Sequence, residues 1–138
     1  MTSSSTDLLA TGQRVIRREA GALEALADGL DGNFSKAVSL LMAAKGRVIV
    51  SGMGKSGHIA RKIAATFAST GTPAHFVHPA EASHGDLGMV AEGDVLIVLS
   101  NSGETTELAD IVAHAKRFGI PLIAVAGRAG STLMRQAD

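Results

Sequence analysis

The sequence contains no cysteine, tryptophan or tyrosine, and each absence removes a class of function. Without cysteine there is no disulfide and no thiolate zinc site, and a cytoplasmic location is expected. Aromatic residues make up only 3% of the chain, which disfavours a surface that stacks nucleic-acid bases on rings. No apolar run approaches the roughly 18 residues that cross a bilayer, and the N-terminus lacks a secretory pattern. We therefore expect no membrane partner.

An excess of charge of either sign is also missing. Thirteen basic and thirteen acidic residues cancel, whereas a general nucleic-acid surface needs clustered positive charge. With 46% hydrophobic residues, the 138-residue chain has ample material for the core of one domain.

Helical spacing of apolar residues predicts two helices before the first strand. The first runs from Asp7 to about Leu30, residues 31–33 break it, and the second begins at Phe34. Residues 1–6 are polar and are expected to form a frayed N-terminus. The first helix packs either on the sheet or against another subunit, and its narrow apolar stripe leaves both alternatives open.

Four short apolar runs predict strands. The third is apolar at every position, as in a parallel sheet covered on both faces. We predict an α/β fold, a doubly wound, mainly parallel, flavodoxin-like sheet with helices on both faces. The chain stops at Asp138, where another strand is expected, so the domain of residues 7–138 is expected to be truncated before its last strand and helices. The predicted strands are residues 48–51, 74–77, 95–99 and 122–125.

The loop of residues 52–57 reads Gly-Met-Gly-Lys-Ser-Gly and follows the first strand. It matches the dinucleotide fingerprint, but His78 stands where that motif needs an acid at the end of the second strand, and the first acid is Glu81. Ile49 occupies a position that a Walker A loop requires to be glycine. A tight turn of small residues explains the glycines but leaves Lys55 unexplained.

The loop of residues 100–105, Ser-Asn-Ser-Gly-Glu-Thr, is more specific. A helix cap needs one hydroxyl, whereas this loop places three where a helix starts, and such groups bind phosphate oxygens. Glu107 lies in the first turn of the helix that follows. It either complements the helix dipole or acts as a general base.

Histidines form the other candidate cluster. His75 lies inside the second strand and is expected to be structural, while His114 lies on the exposed side of a helix and is expected to be solvated. His78 and His84, with two acids nearby in an irregular stretch of residues 78–88, could bind a metal, but no H-E-x-x-H spacing is present. We therefore expect no required metal or other cofactor.

Taken together, the Gly-Met-Gly-Lys-Ser loop, the Ser-Asn-Ser-Gly-Glu-Thr loop and the segment His-Pro-Ala-Glu-Ala-Ser-His-Gly-Asp-Leu-Gly resemble the sugar isomerase (SIS) domain. The resemblance covers roughly residues 46–138. Lys55 combined with the run that starts at His84 is similar to the D-arabinose 5-phosphate isomerase branch. Members of that branch continue beyond the segment present here, commonly into a pair of CBS domains.

The resemblance implies interconversion of D-ribulose 5-phosphate and D-arabinose 5-phosphate through a cis-enediol, the entry to Kdo and lipopolysaccharide synthesis. It also implies a homotetramer, no required metal, and a position, His78, where zinc can bind and inhibit. The substrate- and phosphate-binding positions that it implies are Ser56, Gly71, Thr72, His78, Ser100, Asn101, Ser102 and Thr105.

The catalytic positions that the resemblance implies are Lys55, His84 and Glu107. One base, Glu107 or His84, must reach both carbons, and we assign it to Glu107, with ring opening or oxygen-to-oxygen proton transfer assigned to His84. Lys55 can stabilise the negative oxygen that develops. Two alternatives stay open: a non-catalytic SIS module that senses a sugar phosphate, and a dinucleotide-binding protein.

Overall fold

A computed structural model of the chain describes residues 5–138. The chain divides into two structural units, Met1–Lys36 and Ala37–Asp138. Two 3-10 turns, Asp86–Met89 and Thr106–Leu108, accompany the regular elements. The helices are α1 Ser5–Asp28, α2 Gly32–Ala43, α3 Gly54–Ser69, α4 Pro79–Ser83, α5 Ala109–Arg117 and α6 Thr132–Gln136, and the strands are β1 Val48–Gly52, β2 Ala74–Phe76, β3 Val95–Ser100 and β4 Leu122–Ala126.

The first unit holds α1 and the start of α2. α1 begins at Ser5, two residues before the predicted boundary, and residues 1–4 lie outside the described part. The predicted position of the break, residues 31–33, is wrong because Asp31 caps α2: its Oδ1 accepts the Asn33 N–H at 2.9 Å. Apolar side chains along α1 are exposed, namely Leu8, Leu9, Val15, Ile16, Leu23 and Leu26.

The second unit is built on one four-stranded sheet of order β2-β1-β3-β4. All three strand pairs are parallel, which confirms the predicted sheet. β1, β3 and β4 each run one residue further than predicted, while β2 ends one residue earlier. All carboxyl ends therefore lie at the same edge, the carboxyl edge below.

Both faces of the sheet are covered, because neighbouring residues of β1, β3 and β4 enter opposite cores. Ile49, Leu96 and Leu122 pack with α4, α5 and α6 on one face. Val50 and Ile97 pack with α3 on the other. The predicted arrangement of helices on both faces is confirmed.

Residues 78–88, predicted to be irregular, contain a short helix, so that prediction is wrong. His78 Nδ1 accepts the Ala80 N–H at 3.3 Å, and Pro79 occupies the first turn of α4, where its missing N–H costs nothing. Ala82 is buried in the core. A side-chain cap and one buried methyl group thus hold a helix too short for periodicity to reveal.

His114 was expected to be solvated, and this is also wrong. The side chain is half-buried, and its Nε2 lies 2.8 Å from the carbonyl oxygen of Val90. Its ring also contacts Phe118, with centroids 4.7 Å apart. His114 thus ties α5 to the segment that leads into β3.

Candidate active site

The hydroxyl loop, residues 100–105, begins at the last residue of β3. Ser100 is buried, and its Oγ accepts the Gly103 N–H at 3.0 Å and lies 2.8 Å from Thr105 Oγ1. Ser102 Oγ accepts the Glu104 N–H at 3.1 Å. Two of the three hydroxyls therefore hold backbone N–H groups of the loop itself.

The Ser100–Thr105 pair determines which hydroxyl can serve a ligand. Two hydroxyl hydrogens are present and their mutual bond uses one. Because Ser100 is buried and already accepts the Gly103 N–H, donation from Ser100 to Thr105 leaves the Thr105 hydrogen for a ligand oxygen. Such a chain of bonds, from Gly103 through Ser100 to Thr105, polarises its last donor.

A second segment, residues 127–133, supports the hydroxyl loop from behind, and we call it the brace. The Gly127 N–H donates to the Asn101 carbonyl at 3.0 Å, and the Leu133 N–H donates to the Gly103 carbonyl at 3.0 Å. Gly103 has a φ of +68°, and a Cβ there would lie 2.0 Å from Ser131 Oγ. Glycine is therefore required at this position both by backbone conformation and by the brace.

Glu104 adds a side-chain contact to the brace. Its Oε1 accepts the Thr132 N–H at 2.8 Å, at the first residue of α6. Hydrogen bonds from the Thr132 side chain and backbone hold the pKa of Glu104 below its ordinary value of 4.5, and the charges of Arg135 and Arg128 act in the same direction. No role for Glu104 was predicted from the sequence.

Close packing explains Gly52 and Gly57 without a nucleotide, and a left-handed φ of +54° explains Gly54. A Cβ on Gly57 would lie 2.6 Å from the Gly52 carbonyl oxygen, and one on Gly52 would lie 3.1 Å from that of Leu99. The loop thereby starts α3 against the end of β3. Lys55 and Ser56 fall in the first turn of α3, and no described carboxylate pairs with Lys55.

A cavity of about 190 Å³ opens beside this loop, between α3 and the end of β2. The Arg61 guanidinium stacks 4.0 Å from the centroid of the Phe76 ring, and His78 meets the same ring edge-on at 6.2 Å. His58 also lines the cavity. His58 and Arg61 were not predicted to line a site, although their spacing of four and seven residues from Gly54 places them on one side of the helix.

Glu107 and His84 lie on neighbouring segments of the carboxyl edge. Glu107 belongs to the turn Thr106–Leu108, and its Oε2 accepts the Thr106 hydroxyl at 3.1 Å. His84 directly follows α4, which packs against that turn. Both side chains are exposed and thus accessible to a ligand.

Gly71 and Thr72 lie elsewhere. They precede β2, at the amino end of the strand, where the Thr72 N–H donates to the Phe67 carbonyl at 2.9 Å. Within one chain they are therefore at the edge opposite the hydroxyl loop. Their assignment to the substrate site stays a prediction.

Within residues 5–138, no three His, Asp or Glu side chains form a group that could hold a metal ion. His78 uses Nδ1 to cap α4, which leaves Nε2 as the nitrogen that faces other partners. The inhibitory zinc at His78 stays a prediction. No helix in this part of the chain is long and apolar enough to cross a membrane.

Comparison with known proteins identifies the family. The profile of the SIS domain matches residues 40–138. The chain belongs to the SIS domain family. This SIS domain is 51% identical over 136 residues to arabinose 5-phosphate isomerase KdsD of Pseudomonas aeruginosa, covering 99% of the chain and 42% of the relative. It is 48% identical over 139 residues to arabinose 5-phosphate isomerase KpsF of Escherichia coli O6:H1, with the same coverages of 99% and 42%.

Among solved structures, this SIS domain resembles an Escherichia coli CFT073 protein in complex with arabinose 5-phosphate, with a TM-score of 0.91 and 44% identity over 98% of the chain and 72% of that protein. The predicted SIS-type fold is thereby confirmed. The chain spans less than half the length of the curated relatives that it matches.

Proposed function

We propose that this SIS domain interconverts D-ribulose 5-phosphate and D-arabinose 5-phosphate. The observation that carries the proposal is the hydroxyl loop at the carboxyl edge, where Ser100 Oγ accepts the Gly103 N–H and lies 2.8 Å from Thr105 Oγ1. The similarity of the chain to relatives named arabinose 5-phosphate isomerase supports the choice of substrate. A structural neighbour in complex with arabinose 5-phosphate supports it as well.

In this proposal the hydroxyl loop binds the substrate phosphate. Thr105 donates its free hydroxyl hydrogen, and Ser102 and Asn101, both exposed, add further donors. Ser56 contributes from the first turn of α3, where the helix dipole favours an anion. Binding energy gained at the phosphate, remote from the reacting carbons, helps to orient them.

Glu107 and His84 handle the protons of the proposed reaction. Glu107 removes the proton from the carbon beside the carbonyl and returns it to the neighbouring carbon. His84 serves ring opening or proton transfer between the two oxygens. Lys55, which has no carboxylate partner among the described residues, stabilises the negative oxygen of the enediol-forming step.

The test compares Glu107→Gln with Asp110→Asn, an exposed acid three positions further along. Glu107→Gln should lower kcat about 10²- to 10⁴-fold, the usual contribution of a general base, with little change in arabinose 5-phosphate affinity. Asp110→Asn should leave both unchanged. A wild-type chain that binds the sugar phosphate without turning it over would favour the sensor alternative. Thermal protection by NAD but not by sugar phosphates would favour a dinucleotide-binding protein.

We further propose that the protein is a cytoplasmic homo-oligomer, a tetramer, whose product supplies Kdo synthesis. The exposed apolar side chains of α1 support association, since a contiguous apolar face usually has a partner. Light scattering of the purified chain tests this point, and the mass of a single chain would contradict it.

A further inference from the structure

The carboxylate of Glu104 lies within the hydroxyl loop but has no part in the proposed reaction. It is bonded instead to the N-terminus of α6, through the Thr132 N–H at 2.8 Å. The Thr132 side chain also bonds to this carboxylate, whereas the bonds from Gly127 to Asn101 and from Leu133 to Gly103 join backbone to backbone. The Glu104 side chain is therefore the part of the loop whose removal would break contacts with the brace without changing the backbone bonds.

Apart from the brace, the loop is held by hydrogen bonds of its own Ser100 and Ser102 hydroxyls. A cavity of about 430 Å³ lies between the loop, α5 and α6, with Thr105, Val112 and Leu133 among its lining residues. Because this cavity is open to solvent, side chains do not pack against the loop on that side, and hydrogen bonds provide its contact with α6. The Glu104–Thr132 bond lies at the border of this open space.

The orientation of the Glu104 side chain also determines where its negative charge lies relative to the proposed phosphate site. A carboxylate beside a phosphate site repels the anion unless it is turned away or neutralised. Here it accepts the Thr132 N–H, and the charges of Arg135 and Arg128 act on it. The negative charge is thus held on the brace.

We propose that Glu104 is a positioning residue that fixes the hydroxyl loop on α6 in the shape that binds the substrate phosphate. This inference rests on the proposed function, because the loop must bind phosphate for its shape to matter. Glu104 acts through its neighbours Ser102 and Thr105, whose hydroxyls meet the ligand. It is not a catalytic residue.

The test uses the full chain with Glu104→Ala, Glu104→Gln and, as a control for loss of charge, Glu92→Gln, an exposed acid before β3. Glutamine retains an oxygen that accepts the Thr132 N–H, so its dissociation constant for inorganic phosphate should stay within about threefold of wild type. Glu104→Ala should weaken phosphate binding about 5- to 10-fold. It should raise KM for arabinose 5-phosphate by a similar factor and change kcat less. Glu92→Gln should match wild type.

Amide hydrogen exchange without ligand provides an independent measurement. Glu104→Ala should speed exchange at Thr132 and Leu133, while Glu104→Gln should not. Wild-type phosphate affinity in Glu104→Ala, unchanged exchange in that variant, or a Glu104→Gln variant as weak as Glu104→Ala would each overturn the proposal. If wild type binds neither inorganic phosphate nor arabinose 5-phosphate, the proposed function and the role of Glu104 in phosphate binding are both wrong, even where Glu104→Ala speeds exchange. If wild type binds arabinose 5-phosphate and Glu104→Ala binds it equally well, only the role of Glu104 is wrong.

Discussion

Replacing Gly103 by alanine should destabilise the protein more than the same change at Gly119. Both glycines have left-handed backbones, with φ of +68° and +63°. That conformation costs an alanine about 1–2 kcal/mol at either position. At Gly119 nothing lies within 4 Å of the added Cβ, so the backbone strain is the whole effect. At Gly103 the Cβ would lie 2.0 Å from Ser131 Oγ and 2.4 Å from Ser131 Cβ.

Overpacking of this kind adds about 1–3 kcal/mol. Gly103→Ala should therefore lower the free energy of unfolding by about 2–5 kcal/mol and Gly119→Ala by about 1–2 kcal/mol. Urea unfolding measures both. The additional destabilisation at Gly103 comes from the clash with Ser131. Ser131→Gly should therefore restore about 1–2 kcal/mol of unfolding free energy in the Gly103→Ala background. Ser131→Gly alone should lower the free energy of unfolding by only a few tenths of a kcal/mol, since glycine is an acceptable N-cap.

Two results would refute this reasoning. Equal destabilisation by Gly103→Ala and Gly119→Ala would mean that the loop moves away from the brace without cost. A double variant no more stable than Gly103→Ala alone would mean that the added methyl group meets something other than Ser131. Either result would also weaken the argument that the brace fixes the shape of the hydroxyl loop.

The hydroxyl pair and the Glu104 carboxylate give two further predictions. Ser100→Ala leaves the buried Gly103 N–H without its acceptor and should lower the free energy of unfolding by about 1–3 kcal/mol, measured by urea unfolding. Thr105→Val should lower the free energy of unfolding less. It should weaken phosphate binding more than Ser100→Ala does, as measured by calorimetry. The pKa of Glu104 is lowered in the folded state, so the stability that it contributes is complete above the ordinary value of 4.5 and is lost as pH falls through the folded-state pKa. The stability difference between wild type and Glu104→Gln should therefore be constant above about pH 6 and change below 4.5; no change on acidification would contradict the assignment.

Local patterns in the sequence predicted the sheet and the loops that end its strands. The continuous apolar run around Leu96 and Val98 indicates burial on both faces, and the structure places such residues in two cores. Because the carboxyl ends of parallel strands share an edge, the sequence alone indicates that the polar loops after these strands lie close together. The strand order β2-β1-β3-β4 carries no comparable local signal.

Contacts between residues distant in sequence were not predictable in this way. His114 bonds to Val90, 24 positions away, and Glu104 bonds to Thr132, 28 positions away. α4 was not predicted, because its five residues complete little more than one helical turn, which is too few for a periodic pattern. The contact of Arg61 with the Phe76 ring was not predicted, because a charged residue on a helix is usually solvated and no residue near Arg61 in the sequence indicates this contact.

The distance between the two edges of the sheet links the predicted substrate role of Gly71 and Thr72 to the proposed homo-oligomer. β1 has five residues, so the edges are separated by about 15 Å at roughly 3.3 Å per residue. A ligand held by Thr105 at the carboxyl edge is out of reach of Gly71 and Thr72 in the same chain. These two residues can line the substrate site only if a second copy of the chain brings its amino edge to it. Their proposed role in substrate binding and the proposed homo-oligomer are therefore one hypothesis, and a monomeric active enzyme would remove both.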